Sequence, residues 1–342
     1  MATIKELAKL CDVSIATVSN VLNGTGRVGE ETSRKILDTA KKIGYIPNMM
    51  AKNLKQKVTK TIGIITEDLT VFNCADIVDG INDYLDQVDY TFLLGNLRLY
   101  KKYNNMFYHH EGYKAQVEEE FQIMKSKQVA GIIYVGAHSR EIKSIPKNFD
   151  LPIVVAYGYA SEQHVPSVIY DDEKGAYEAV SKLIQLGNTS IGVVTGEQGS
   201  LHTIERMKGY QRALFEHKIL CDPSLIVEGD WTVDSGYEAG KKLIEKGVSA
   251  IFSMSDVMAS GIYDCANEKE IIIGKELDLI GFDDRQICTA FRPTLTSMAL
   301  PLEQIGQHAG KIIVEMIEHK TIDTSLLHKI ECRLIERNSI KG

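Results

Sequence analysis

From residue 61 onward, short apolar stretches alternate with helical patterns, and this alternation limits the fold more than any other feature of the chain. Strands are expected at 61–66, 91–94, 131–135, 153–156, 167–169, 191–195, 250–254 and 279–282. Apolar residues at helical spacing fill 75–87, 116–127, 172–186, 204–217, 234–246, 257–268 and 302–318. Strands that are apolar along their whole length are buried on both faces, and with helices between them they form parallel sheet. The series runs once before about residue 160 and starts afresh near 167. Two α/β lobes with a cleft between them follow, and ligands favour such clefts and the carboxyl ends of strands. A length of 342 residues with 44% hydrophobic content leaves room for a small extra module.

That module is the amino-terminal segment. ATIKELAKL and VSIATVSNVL read as two short helices broken at Cys11-Asp12, with Asp12 or Ser14 able to cap the second. Ile4, Leu7, Ala8, Val18 and Leu22 form an inward seam, which leaves Ile15, Ala16 and Asn20 on another, exposed face. A short helix showing small uncharged residues outward suits a DNA groove; the alternative is any small helical hairpin. EETSRKILDTAKKI, residues 30–43, continues as an amphipathic helix stopped by Gly44. Asn48 caps a short segment that is too brief to be stable without a partner or DNA.

Charge divides the chain in the same place. Residues 1–60 hold 11 Lys or Arg against 5 Asp or Glu, a net of +6, so the chain's −7 leaves −13 for the remainder. Phosphate attraction is local because salt screens it, so an acidic protein with one basic module still suits DNA. Lys5, Lys9, Arg27, Arg34, Lys35, Lys52, Lys55, Lys57 and Lys60 are candidate phosphate contacts or plain surface charges. Cysteines 11, 74, 221, 265, 288 and 332 lack any ligand spacing, and reduced thiols are expected. No apolar signal region opens the chain and no 18-residue apolar span occurs, so a cytoplasmic, nucleoid-associated protein with no membrane contact is expected.

Several ordered motifs carry a resemblance. Thr3-Ile4-Lys5-Glu6-Leu7-Ala8, then Val13 to Asn23, then Gly44-Tyr45-Ile46-Pro47-Asn48 and Ala51-Lys52-Asn53-Leu54 resemble the lactose/galactose repressor family. Ser255-Asp256-Val257-Met258-Ala259, Gly281-Phe282-Asp283-Asp284 and Arg292-Pro293-Thr294-Leu295-Thr296-Ser297 extend the likeness to the carboxyl half. The resemblance implies a helix-turn-helix domain at 1–47, a hinge helix at 48–58 and a periplasmic-binding-protein-like core of parallel sheets at 59–342. Within the core, an N-subdomain is expected at about 60–160 plus 292–320, and a C-subdomain at about 161–291 plus 321–342. Ile15, Ala16 and Asn20 would face bases; Ser14, Thr17, Ser19 and Asn23 would hold the helix start or phosphate, with helix packing the other reading of Thr17. Leu54 would wedge open a minor-groove step beside Lys55, its alternative being a lone core or dimer-contact residue.

For the cleft, the resemblance implies effector contacts from Arg206, Trp231 and Asp283. An interlobe salt bridge, a core anchor and a helix cap are their respective alternatives. Asp68, Phe72, Asn73 and Ser255 stand where the chain departs from its relatives and are weaker contact candidates. The aromatic stretch 97–116 is open between a lid, a partner surface and a decorated loop. No P-loop, GxSxG elbow or carboxylate-dense cluster is present, so no catalytic residue, metal or cofactor is expected. The function implied is a homodimeric repressor of carbohydrate genes, released from a palindromic operator by a small sugar. The reverse sign, with a ligand or protein corepressor promoting DNA binding, is the alternative.

Overall fold

The computed structural model describes residues 2–22, 24–45, 59–104, 107–110, 112–160, 164–319 and 326–341. Asn23, Leu54, Lys55 and the whole hinge segment 48–58 lie outside the described residues. Two compact units divide the chain, Met1–Lys60 and Thr61–Gly342.

The first unit is built from the helices Ile4–Cys11, Ile15–Leu22 and Glu30–Lys42. Thr3 opens the first through a capping box: its hydroxyl accepts from the Glu6 N–H, and Glu6 accepts from the Thr3 N–H at 2.8 Å. Asp12, at φ 57°, ends that helix by donating its N–H back to the Ala8 and Lys9 carbonyls. Ser14 then starts the second helix, its Oγ accepting from the Thr17 N–H at 3.0 Å. Leu7, Ala8, Cys11, Val18, Ile36 and Ala40 form the core of this unit, with Ile4 and Leu22 packed against it.

The second unit holds two six-stranded sheets. The first runs Leu327–Ile330, Ser167–Tyr170, Ile153–Ala156, Gly131–Val135, Thr61–Thr66, Thr91–Asn96, all parallel. The second runs Arg333–Ile335, Thr296–Ala299, Asp278–Asp283, Ala250–Ser253, Ile191–Thr195, Ile226–Glu228, with only Arg333–Ile335 antiparallel. Burial is continuous along the central strands, as sheets covered on both faces require.

The lobe boundaries differ from those read in the sequence. Ser167–Tyr170 and Leu327–Ile330 belong to the first sheet, and Thr296–Ala299 to the second. The chain therefore crosses between lobes at Asp171, at Leu300-Pro301 and at Glu331-Cys332, rather than near 160, 291 and 320. Hydrophobic pattern identifies a strand but not the sheet it joins, and these crossings are only one or two residues long. Helix Leu302–Ile317 returns to the first lobe and packs on helix Cys74–Gln87. Paired glycines permit that approach: a Cβ on Gly80 would meet the Glu303 carbonyl oxygen at 2.1 Å, and one on Gly306 the Ile77 oxygen at 2.1 Å.

The described part of the aromatic stretch packs against the first sheet. Leu97, Leu99, Phe107 and Tyr113 join Ile65, Val117, Phe121 and Tyr134 in the core on one face of the first sheet. Ile62, Ile64 and Ile133 point to the other face, towards Ile77 and Ile313. All six cysteines are free, and only Cys221 is exposed. No described helix is long and apolar enough to cross a membrane.

Candidate functional site

In the first unit, Ile15, Ala16 and Asn20 are exposed on helix Ile15–Leu22, while Val18 is fully buried. Helical spacing puts Ala16 and Asn20, two residues either side of Val18, on the face opposite it, while Ile15 is exposed as the first residue of the helix. Ser14 is exposed; Thr17 and Ser19 are half-buried. The Thr17 hydroxyl pairs with Ser14 Oγ at 2.8 Å, which ties it to the helix start. Asn20 lies against Gly26, where a Cβ would approach its amide nitrogen to 3.0 Å.

In the second unit, the carboxyl ends of the strands gather a buried polar cluster around Arg206. Its Nε donates to Asp172 Oδ1 at 2.7 Å, Nη1 to the Met254 carbonyl, and Nη2 to the Tyr170 hydroxyl at 2.9 Å. Asp283 Oδ1 is 3.6 Å from Nη2. The guanidinium sits over Phe282, 3.6 Å from the ring centroid, with Trp231 at 6.0 Å. Arg206 is 2% exposed. Burial alone would lower its affinity for the proton; Tyr170, Asp172 and Asp283 more than offset that and keep it charged.

Each neighbour answers to the same charge. Burial opposes ionisation of Asp172, but His202 and Arg206 outweigh it and hold the carboxyl below the usual range. His202 Nδ1 lies 2.9 Å from Asp172 Oδ2 and 2.8 Å from the Tyr170 hydroxyl, with the Tyr170 and His202 rings stacked. Tyr170 ends a strand of the first lobe, whereas His202 and Arg206 share a helix of the second, so this cluster ties the lobes together. Asp283, at φ 112°, is mostly covered, its side chain 12% exposed, and accepts no hydrogen bond among the described residues. Burial pushes its carboxyl up to about 8, against Arg206 and with help from Asp256. Asp256 is fully buried; desolvation pushes it up to about 6 although Ser297 and the Arg285 N–H both donate to it.

The other expected contacts have separate roles. Trp231 is half-buried at φ 68°, and its ring occupies the space above Gly196, where a Cβ would come within 1.8 Å. Ser255 caps helix Asp256–Glu268 through the Met258 N–H at 3.1 Å. Asp68 accepts from the Thr70 N–H and hydroxyl and from the Lys101 N–H, so its oxygens organise their own loop. Asn73 is fully buried and donates to the Gly136 carbonyl. Phe72 reaches the second lobe, its ring 4.8 Å from the Arg285 guanidinium carbon.

Sequence reasoning missed Asp172, Tyr170, His202, Phe282 and Arg285. His202 stands four residues before Arg206, one helical turn away, and Asp172 opens a helix after a first acid at Asp171. Those spacings were the available signals.

A three-helix unit with a capped, outward-facing second helix, followed by a two-lobed parallel α/β core, defines a DNA-binding regulator with a periplasmic-binding-protein-like domain. Residues 3–48 match the model for bacterial regulatory proteins of the lacI family, and residues 180–340 match the periplasmic binding protein-like domain. The chain is 34% identical to catabolite control protein A of Priestia megaterium, over 97% of this chain and 98% of that one. It is 30% identical to the transcriptional repressor PurR of Vibrio atlanticus, over 100% and 99%. Among solved structures, it superposes on the transcriptional regulator CelR in complex with cellobiose with a TM-score of 0.65, at 25% identity over 99% and 100%. The chain belongs to the lacI family of bacterial regulatory proteins, which are DNA-binding proteins and not enzymes.

Proposed function

We propose that this regulator is a homodimeric repressor that holds a palindromic operator of carbohydrate uptake or breakdown genes and is released from it by a small sugar. The observation that carries the DNA half is the split face of helix Ile15–Leu22: Val18 buried, Ile15, Ala16 and Asn20 exposed. Asn20 pairs with adenine through its amide, and Ile15 and Ala16 pack on methyl groups. Ser14, Thr17 and Ser19 meet phosphate. One such helix reads one half-site, so two-fold DNA calls for a two-fold protein.

The ligand half rests on Asp283, whose carboxyl at the end of its strand pairs with Arg206 at 3.6 Å but accepts no hydrogen bond among the described residues, with Trp231 as the aromatic surface and Phe72 at the mouth. A sugar that prefers the closed lobes shifts the population of the core, and by linkage changes operator affinity by the same factor that DNA changes sugar affinity. The solved complex of CelR with cellobiose supports a saccharide. The site of action is chromosomal DNA in the cytoplasm.

Selection of random duplexes by the full-length chain tests the DNA half. Enrichment of a palindrome, lost on replacing Ile15 and Asn20 by Ala, is expected; no enrichment with or without sugars and purines contradicts it. Enrichment only when a ligand is added reverses the sign to corepression.

A further inference from the structure

Two short turns face each other across the mouth of the cleft, and each is held rigid from within its own lobe. In the first lobe, Asp68 accepts from the Thr70 N–H and hydroxyl and from the Lys101 N–H, and the buried Asn73 donates to the Gly136 carbonyl. Phe72 stands between these two anchors and is 40% exposed. In the second lobe, Asp283 and Asp284 are consecutive non-glycine residues at φ 112° and 53°, a backbone that such residues hold only where their surroundings enforce it. Here they do. The Asp284 N–H donates to Ser297 Oγ at 3.1 Å, its carboxylate pairs with Arg337 at 2.6 Å, and the Arg285 N–H donates to Asp256 Oδ2 at 2.7 Å. The turn sends the Arg285 side chain across to the first lobe, where its guanidinium carbon lies 4.8 Å from the centroid of the Phe72 ring. That side chain makes no ion pair or hydrogen bond among the described residues, so the ring is its partner.

We propose that Arg285 and Phe72 form a cation–π latch across the cleft mouth, which holds the lobes together in the ligand-free protein and parts whenever the cleft opens. Tyr170 and Arg206 also join the lobes, but beside the crossing at Asp171, where a hinge moves least. Phe72 and Arg285 adjoin none of the three crossings in sequence, so their contact is one that opening breaks. A cation over an exposed ring shifts a two-state equilibrium by about two- to fivefold. That is enough to bias the resting arrangement of the lobes and too little to lock it. The latch acts before any effector binds and does not depend on the effector being a sugar.

The test needs neither effector nor DNA, so its failure is separable from failure of the sugar-repressor reading. Trp231 is the single tryptophan of the chain, and its ring lies over Gly196, 6.0 Å from the Arg206 guanidinium. Its fluorescence therefore reports how open the cleft is. Acrylamide quenching of the full-length chain should grow stronger in Arg285→Ala and in Phe72→Ala, as the opening equilibrium shifts about two- to fivefold. Phe72→Tyr keeps the ring and should quench as wild type does. Because the two side chains act through one contact, the double variant should quench no more than either single variant. Wild-type quenching in both single variants overturns the proposal, as do single effects that add in the double variant. Phe72 and Arg285 lie outside both hydrophobic cores, so thermal midpoints should stay near wild type. A variant that fails to fold is replaced by Arg285→Gln or Phe72→Leu, and the same two outcomes decide.

Discussion

Arg206 donates to Asp172 Oδ1 at 2.7 Å while lying over Phe282, so the charge that neutralises one buried carboxylate is walled in by an aromatic ring. Tyr170 from the opposite lobe completes the enclosure. Removing one partner of such a pair strands the other, whereas the pair itself adds little net stability. Arg206→Met should therefore destabilise the core unit by about 3–5 kcal/mol, measured by urea unfolding. A loss below about 1 kcal/mol, the range of exposed ion pairs, would contradict the enclosure.

Asp283 sets a pH dependence of definite sign. Its carboxyl is pushed up to about 8 in the folded chain, against about 3.9 in an unfolded one. The folded state thus holds the proton more tightly. The associated stability is complete below about pH 4 and is lost as pH rises towards 8. Asp283→Asn removes that loss, so variant and wild type should diverge towards alkaline pH, by up to about 1.4 kcal/mol per unit. Unfolding curves at pH 5, 6, 7 and 8 check this, and parallel curves would contradict it.

Gly80 is a packing requirement. A methyl group there would meet the Glu303 backbone at 2.1 Å, and a backbone atom cannot rotate aside. Gly80→Ala should separate helices Cys74–Gln87 and Leu302–Ile317 and cost about 2–3 kcal/mol, whereas Ala at the unobstructed Gly199 should cost far less. Equal midpoints for the two variants would refute the close approach.

Ser14 supports the DNA-facing helix from its first turn. Ser14→Ala leaves the Thr17 N–H without its side-chain acceptor and should cost that helix about 1 kcal/mol. Hydrogen exchange of the amides in 15–22 would read the change directly, with selected-duplex affinity falling about fivefold. Unchanged protection would show that the cap adds nothing.

Asn20→Ala should act differently from loss of a basic residue. Base-edge contacts discriminate, whereas phosphate contacts bind every sequence. The expected loss is about 1–3 kcal/mol at one A·T position, with other positions unaffected. A uniform loss across sequences would reassign Asn20 to the backbone.

Much of this was legible in the chain because the forces involved are local. Capping at Ser14, the seam of Leu7, Ala8 and Val18, and the apolar strands expected between Thr61 and Phe282 depend on spacing alone. Lobe membership was not legible, since Ser167–Tyr170 has the same apolar character whichever sheet receives it. The edge strands Ile226–Glu228, Leu327–Ile330 and Arg333–Ile335 were missed because edge strands carry less of the continuous apolar signal, and the interior Thr296–Ala299 because Thr, Ser, Met and Ala give no apolar run. In the cleft, resemblance pointed to Arg206 and Asp283, which the fold brings to 3.6 Å. Resemblance did not reveal that Asp172, Tyr170 and Phe282 would use up the arginine, because they arrive from separate elements. The aromatic stretch was open for the same reason: Phe107 and Tyr113 are core only because a sheet face lies above them.

The most direct measurement is the affinity of the full-length chain for its selected duplex, by fluorescence anisotropy, with and without each of a panel of uncharged mono- and disaccharides. The account predicts that one of them weakens binding at least tenfold in the wild type and fails to do so in Asp283→Asn, while both proteins hold the sugar-free duplex equally. A duplex affinity that no saccharide alters, or one that responds equally in the variant, would contradict it.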